Sequence, residues 1–238
     1  MVNRLTIFIV ILCFNSLSAQ NSLDCSKCAD QLINPEQIKN LSIDELRFLT
    51  NDLFARRGYK FSNESIDFYY SEKNWYKPVS DNSKIVYSET EKRNIKTFQD
   101  RTAELLRDRE KLTNELKAFQ TAFLQNNRQI LKSRFNFDSE DVNRKYLSEV
   151  LQKVNIDELK WFKKQGHYIN IVDNLEETVG YTVTVSGSSI NFIYDYDGGS
   201  EEVKDDFYPS PYNQEFTHFW EFEWKNGKLK FIRLNTAG

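Results

Sequence analysis

Glycine and proline are scarce in this chain, 8 and 4 of 238 residues, and neither occurs between Pro78 and Gly166. Those two residues punctuate loops and end helices, so their absence excludes a run of tight turns there and predicts helix. Histidine is rarer, with His167 and His218 alone. There are three cysteines, and no Cys/His pair follows Cys25-x-x-Cys28 to complete a zinc site. The glycines form neither a phosphate-cradling loop nor a dinucleotide pattern, and no Gly-x-Ser-x-Gly elbow presents a nucleophile. The sequence therefore offers no cofactor motif, no metal set and no catalytic constellation. Long hydrophobic runs are missing too: the apolar stretch at 5–14 is too short to span a bilayer, and no later stretch approaches that length.

What is present begins with an address. Residues 1–20, MVNRLTIFIVILCFNSLSAQ, combine one early arginine, that apolar stretch and a small-residue exit ending Ser18-Ala19. This is the layout of a secretory signal peptide cleaved near Ala19, so the mature chain is expected to be exported, periplasmic or extracellular. Cys13 and Cys25 follow Leu12 and Asp24 rather than a small residue, which argues against a lipid anchor. In the mature chain Cys25 and Cys28 then read as a small local disulfide formed on export.

The whole chain carries 32 basic and 35 acidic side chains; removing Arg4 with the leader leaves 31 against 35, a net of −4. That balance gives no electrostatic reason to bind nucleic acid. The distribution is uneven: residues 101–167 hold 14 basic and 10 acidic side chains, residues 168–238 hold 5 and 12. Such asymmetry suggests two surfaces with different partners, or two domains that attract each other.

Ser88 with Glu91 reads as a capping box. Beyond it Ile95, Phe98, Thr102, Leu105, Arg109, Leu112, Leu116, Phe119 and Phe123 recur at steps of three and four, which fits one long helix of roughly 50 Å or two parted near the charged run RDREK. The continuous or gently bent helix, joining two domains, is the reading favoured. Ser139 and Asn155 read as caps of two shorter helices, the second ended by Gly166. After Gly166 the period becomes two. YTVTVSGSSINFIYDY reads as strand, turn, strand, and Asn226-Gly227 joins two more strands. The fold class expected is α+β: a small all-helical N-terminal module, a long connecting helix, then helices packed on a curved antiparallel sheet. The divisions are 1–20 signal peptide, 21–40 tail with the Cys pair, 41–103 helical module and 104–238 α+β domain.

Within the module, Ser42 and Glu45 open a helix whose last turn carries Arg56 and Arg57, and Gly58 suits the left-handed position past its end. The order Phe54-Ala55-Arg56-Arg57-Gly58-Tyr59, then Trp75-Tyr76-Lys77-Pro78, then Glu91-Lys92-x-Asn94 resembles the YARHG domain of exported bacterial proteins. The naming motif is Tyr-Ala-Arg-His-Gly; here Phe54 and Arg57 replace its first and fourth residues. The resemblance covers residues 41–103 and implies an exported helical module without assigned chemistry. ELKAFQTAFLQNNRQILKSRFNF at 115–137, with helices before a sheet, makes residues 112–238 similar, more weakly, to NTF2-like, cystatin-type domains, which often form a pocket in the concavity of their sheet.

DYDGGSEEVKDDF at 195–207 invites calcium, but Gly199 and Ser200 break the EF-hand template, and a solvated acidic loop is the plainer reading. Aromatics beside bases are the better lead. Arg56, Arg57, Tyr59, Trp75, Tyr76 and Lys77 make a candidate binding site for a cell-wall glycan, peptidoglycan or an envelope protein. The alternative is a small-molecule, hydrolase or isomerase pocket among Tyr181, Tyr194, His218 and Trp220 on the sheet. The first reading makes the protein an exported, non-enzymatic binding protein of the cell envelope.

Overall fold

The computed structural model describes residues 25–138, 143–174, 177–198 and 214–238. The expected leader, the Ser139 cap and most of the acidic segment 195–207 lie outside them. Among the described residues six α-helices precede one six-stranded antiparallel sheet, and the last three pack on it, the α+β class that the periodicities predict.

Helix α1 (Pro35–Ile38) is a single turn, and α2 (Ile43–Arg56) opens with the Ser42/Glu45 capping box in place. Its Leu46, Leu49 and Leu53 are buried against Ile95 and Phe98 of α4 (Glu89–Leu124). Between them lies α3 (Glu64–Ser71), with Tyr70 in a second small core beside Ala55, Phe61 and Tyr76. The expected tail at 21–40 does not hang free of this module. A 3₁₀ turn at Cys25–Lys27 carries a Cys25–Cys28 disulfide whose two residues are buried in the same core as Leu46 and Phe98. Asn94 fixes the segment: its amide donates to the carbonyls of Cys28 and Gln31, both at 2.7 Å, and accepts from Ile33 N–H at 2.9 Å. The spacing of the two cysteines showed a possible bond but not the side chain 66 residues away that buries it.

Helix α4 runs unbroken for 36 residues from the Ser88/Glu91 box, and its apolar stripe does two jobs. Ile95 and Phe98 belong to the module, whereas Leu112, Leu116, Phe119 and Phe123 belong to the second core. One helix thus serves both parts, and a boundary at 103/104 falls in its middle. Helices α5 (Arg128–Phe135) and α6 (Arg144–Lys153) follow. The chain stops twice without glycine because Asn126 and Asn136 take the left-handed conformation, at φ of 54° and 55°.

The helix expected from Asn155 to Gly166 is not formed. Asn155 caps one 3₁₀ turn, Ile156–Glu158, and the chain then extends into β1 (Lys160–Phe162) and β2 (Gln165–Asp173). Gly166 is a strand residue paired with Trp161; a Cβ there would lie 3.0 Å from the indole, so the glycine makes room for a ring rather than ending a helix. Strands β3 (Glu177–Ser186), β4 (Ser189–Gly198), β5 (Gln214–Lys225) and β6 (Lys228–Ala237) complete a simple meander, β1 to β6 in order. Alternation puts Val179, Tyr181, Val183 and Val185 inward on β3, and His218, Trp220, Phe222 and Trp224 inward on β5. Phe119 stands at the centre, its ring within 6 Å of those of Phe135, Phe137, Phe192 and Phe222.

Candidate binding surface of the N-terminal module

The end of α2 is built by a Schellman motif. Tyr59 N–H donates to Phe54 C=O at 3.0 Å and Gly58 N–H to Ala55 C=O at 2.8 Å, with Gly58 at φ +75°. The segment after α3 closes over this turn: Val79 N–H donates to Gly58 C=O at 2.8 Å, and a Cβ on Gly58 would stand 2.5 Å from the Lys77 carbonyl oxygen. Gly58 is bare to admit its own chain, and no ligand reaches its Cα from that side.

The two arginines beside it diverge, as successive residues of a helix must. Arg57 turns to α4, where its Nε donates to Glu91 Oε1 at 2.7 Å. Glu91 is fully buried, and its other oxygen accepts the Ser88 N–H at 2.7 Å. Burial alone would raise the Glu91 pKa, but Arg57 and Ser88 outweigh it and hold the carboxyl below its ordinary value. Arg56 turns the other way, donating to Asp52 at 2.9 Å, and its guanidinium lies 5.0 Å from the Trp75 ring centre.

The remaining residues of the expected site separate likewise. Tyr76 is buried, and its hydroxyl donates toward Tyr59 C=O at 2.9 Å, with Asp67 Oδ1 at 3.2 Å. Tyr59 is half-buried, its ring packed on Phe54 and Phe61. Lys77 is exposed. Only Arg56 and Trp75 of the six share one open face.

Three more exposed rings lie outside those six: Phe68 and Tyr69, which the sequence clusters with Trp75, and Phe48, which it does not. Phe48, Phe68, Tyr69 and Trp75 are 43%, 69%, 42% and 43% exposed, far above what a core aromatic allows. Phe48 meets Tyr69 edge-on at 5.6 Å, and Lys73 Nζ sits 4.4 Å over Tyr69. Buried Tyr70 lies beneath, its ring 5.0 Å from Tyr69 and 6.0 Å from Trp75, and among the described residues its hydroxyl has no partner. Burial, with Asp52 nearby, pushes the Tyr70 pKa up. Phe48 is the residue sequence reasoning missed. Its signal was a large apolar side chain off the Leu46–Leu49–Leu53 stripe of α2.

Residues 23–101 match the family model of the YARHG domain. The likeness is confined to the N-terminal module. The match begins ahead of the disulfide, in keeping with the burial of Cys25 and Cys28 in the module's core. The YARHG domain is typical of exported proteins, and among the described residues no helix is long and apolar enough to cross a membrane. No curated protein and no solved structure matches the chain, so the NTF2-like likeness of the C-terminal part gains no support from those comparisons.

The alternative site on the sheet is a packed layer. Tyr181, Tyr194, His218 and Trp220 are all buried and all face the helices. Tyr146 of α6 fills the space above them, its ring centre 4.7 Å from Tyr194, 5.0 Å from His218 and 5.4 Å from Phe216. His218 Nδ1 pairs with Thr236 Oγ1 at 2.9 Å and Nε2 with Asn143 Nδ2 at 3.3 Å. With the Asn143 Nδ2 group turned to the ring and able only to donate, Nε2 accepts and Nδ1 is left to donate to Thr236 Oγ1. Burial holds the His218 pKa below 6.5 and the imidazole neutral. Trp220 Nε1 has no hydrogen-bond partner among the described residues. Among the described residues no group of three His, Cys, Asp or Glu side chains could hold a metal ion.

Proposed function

We propose that the protein is an exported binding protein of the cell envelope, and that its YARHG domain recognises a wall or surface glycan through Phe48, Phe68, Tyr69 and Trp75. The observation that carries this reading is the exposure of four large rings, three of them linked through Tyr69 and Tyr70, on a module small enough to need every apolar side chain inside. Sugar rings present apolar C–H faces that stack on such rings, and their hydroxyl rims accept hydrogen bonds. Arg56 and Lys73, each held against a ring, supply donors beside the stacking faces. The pocket reading loses support because Tyr146 and its neighbours occupy the concave face with side chains.

The experiment is retention of the full chain on purified peptidoglycan, wild type against Phe68→Ala/Trp75→Ala. Both rings are largely outside the core, so the variant is expected to melt like wild type and to be retained at least about tenfold less, each stacked ring contributing on the order of 1 kcal/mol. Equal retention of a folded variant removes the proposal.

A further inference from the structure

A second concave feature lies where the YARHG domain meets the sheet, and neither the platform nor the family match accounts for it. It is a cleft of about 170 Å³, walled on one side by the start of α2 and the middle of α4 and on the other by the β1–β2 and β3–β4 turns. Leu105, Leu112 and Val185 are among its apolar lining, and the indoles of Trp161 and Trp224 stand beside them. Lys39, Arg101, Arg109, Lys163 and Lys164 line it as well, against one carboxylate, Asp108, which leaves an excess of four positive charges. The basic surplus of residues 101–167 is thus partly gathered in one hollow.

Some of that charge is already answered. Glu36 pairs with Lys39 and Glu104 with Arg101, each at 2.7 Å at the exposed margin. Asp108 is turned to Trp224, accepting its indole N–H at 3.3 Å. Arg109 is not answered in this way. Its guanidinium lies 4.4 Å over the Trp161 ring and donates to the Lys163 carbonyl at 2.5 Å, but no carboxylate reaches salt-bridge distance among the described residues. Burial lowers its pKa, with Asp44 and Arg47 acting in opposite senses. A partly desolvated guanidinium whose neighbouring carboxylate, Asp44, stays beyond salt-bridge distance is costly unless something anionic completes it. Arg101 also keeps its buried Nε without a hydrogen-bond partner. The β1–β2 turn that carries the two lysines holds Lys163 in the left-handed region, at φ 52°.

We infer that this cleft is a site for a compact oxyanion, a carboxylate or phosphate carried on a body the size of one sugar ring. The aromatic and aliphatic walls take the ring, Arg109 and Lys164 take the charge, and Arg109 can offer two parallel donors to one oxyanion. The volume falls below the ~300–1,000 Å³ usual for whole small-molecule ligands, which suits one unit of a polymer better than a free cofactor. Because the walls come from both parts of the chain, an occupant would also fix how they sit on each other. The inference does not depend on the platform, which lies on a different set of residues.

The test is titration of the full chain, followed by tryptophan fluorescence, with N-acetylmuramic acid, glucose 1-phosphate and neutral N-acetylglucosamine. Either anion binding at least about tenfold more tightly than the neutral sugar, and weakening with added salt, is the expected result; which anion wins separates carboxylate from phosphate. The double variant Lys163→Gln/Lys164→Gln, confined to a surface turn, should lose at least about tenfold in affinity at unchanged melting temperature. Arg109→Gln should lose at least as much. Phe68→Ala/Trp75→Ala should bind the anion like wild type, so this site and the platform fail separately. Equal binding of neutral and anionic sugars, no binding of either anion, or an unaffected lysine variant overturns the inference.

Discussion

Arg57 and Glu91 lie 34 residues apart and meet at 2.7 Å, joining the end of one helix to the first turn of another. Glu91 also closes the capping box with Ser88, so one buried carboxylate holds both the start of α4 and its packing on α2. The Arg-Gly element and the Glu-Lys-x-Asn element of the family pattern are therefore two halves of one contact, with Asn94 a turn further on securing the disulfide segment.

This pair should couple in a double-mutant cycle. Arg57→Ala is expected to cost about 1–2 kcal/mol, discounted because the arginine is partly exposed, and Glu91→Ala about 2–4 kcal/mol because a cap is lost as well. The coupling energy should be about 1 kcal/mol by urea unfolding. A depressed carboxylate stabilises above its unfolded value, so this contribution should be complete above pH 4.5 and fade as pH falls through the lower folded value. Arg57→His reverses the dependence. An imidazole whose pKa is raised by Glu91 would stabilise below about pH 6.5 and lose that effect as pH rises through the raised value.

Gly58→Ala meets two obstacles, a left-handed backbone and a carbonyl oxygen 2.5 Å from the new Cβ. The expected loss is about 2–4 kcal/mol, larger than the ~1 kcal/mol that a left-handed helix end alone would set. A melt that does not move would mean that the Lys77–Val79 segment is not seated as described.

Much of the fold was legible in the sequence because its signals are local and periodic. The Ser42/Glu45 and Ser88/Glu91 boxes, the nine-residue stripe of α4 and the Asn226-Gly227 turn each act within a few residues. The β1–β2 hairpin was not legible, since Asn155 and Glu158 carry the signature of a helix start. The pairing of Lys160, Trp161 and Phe162 with His167, Gly166 and Gln165 shows that the chain extends instead. The surface was legible only in part. Phe48 reaches Tyr69 across two helices, and the burial of Tyr76 depends on Tyr59 and Asp67 at distances no local pattern encodes.

Reduction of Cys25–Cys28, or Cys25→Ser/Cys28→Ser, should destabilise the YARHG domain by about 2 kcal/mol on the loop-entropy estimate for so short a loop. The burial of both residues makes the serine pair the harsher of the two. Comparing urea midpoints with and without reductant checks it.

His218 should make stability depend on pH in a separate window. Its folded pKa is depressed, so the unfolded chain binds the proton first; stability is complete above pH 6.5 and falls as pH drops from there through the lower folded value. His218→Gln should flatten that part of the curve while leaving the acidic limb of Glu91 in place.

The most direct test of the account is peptidoglycan retention of three full-length proteins side by side: wild type, Phe68→Ala/Trp75→Ala, and Tyr76→Phe. The account predicts that the platform variant is lost from the wall while its melt is unchanged, and that Tyr76→Phe, whose ring lies in the core, is retained like wild type with a slightly lower melt. A folded platform variant retained as well as wild type would contradict it.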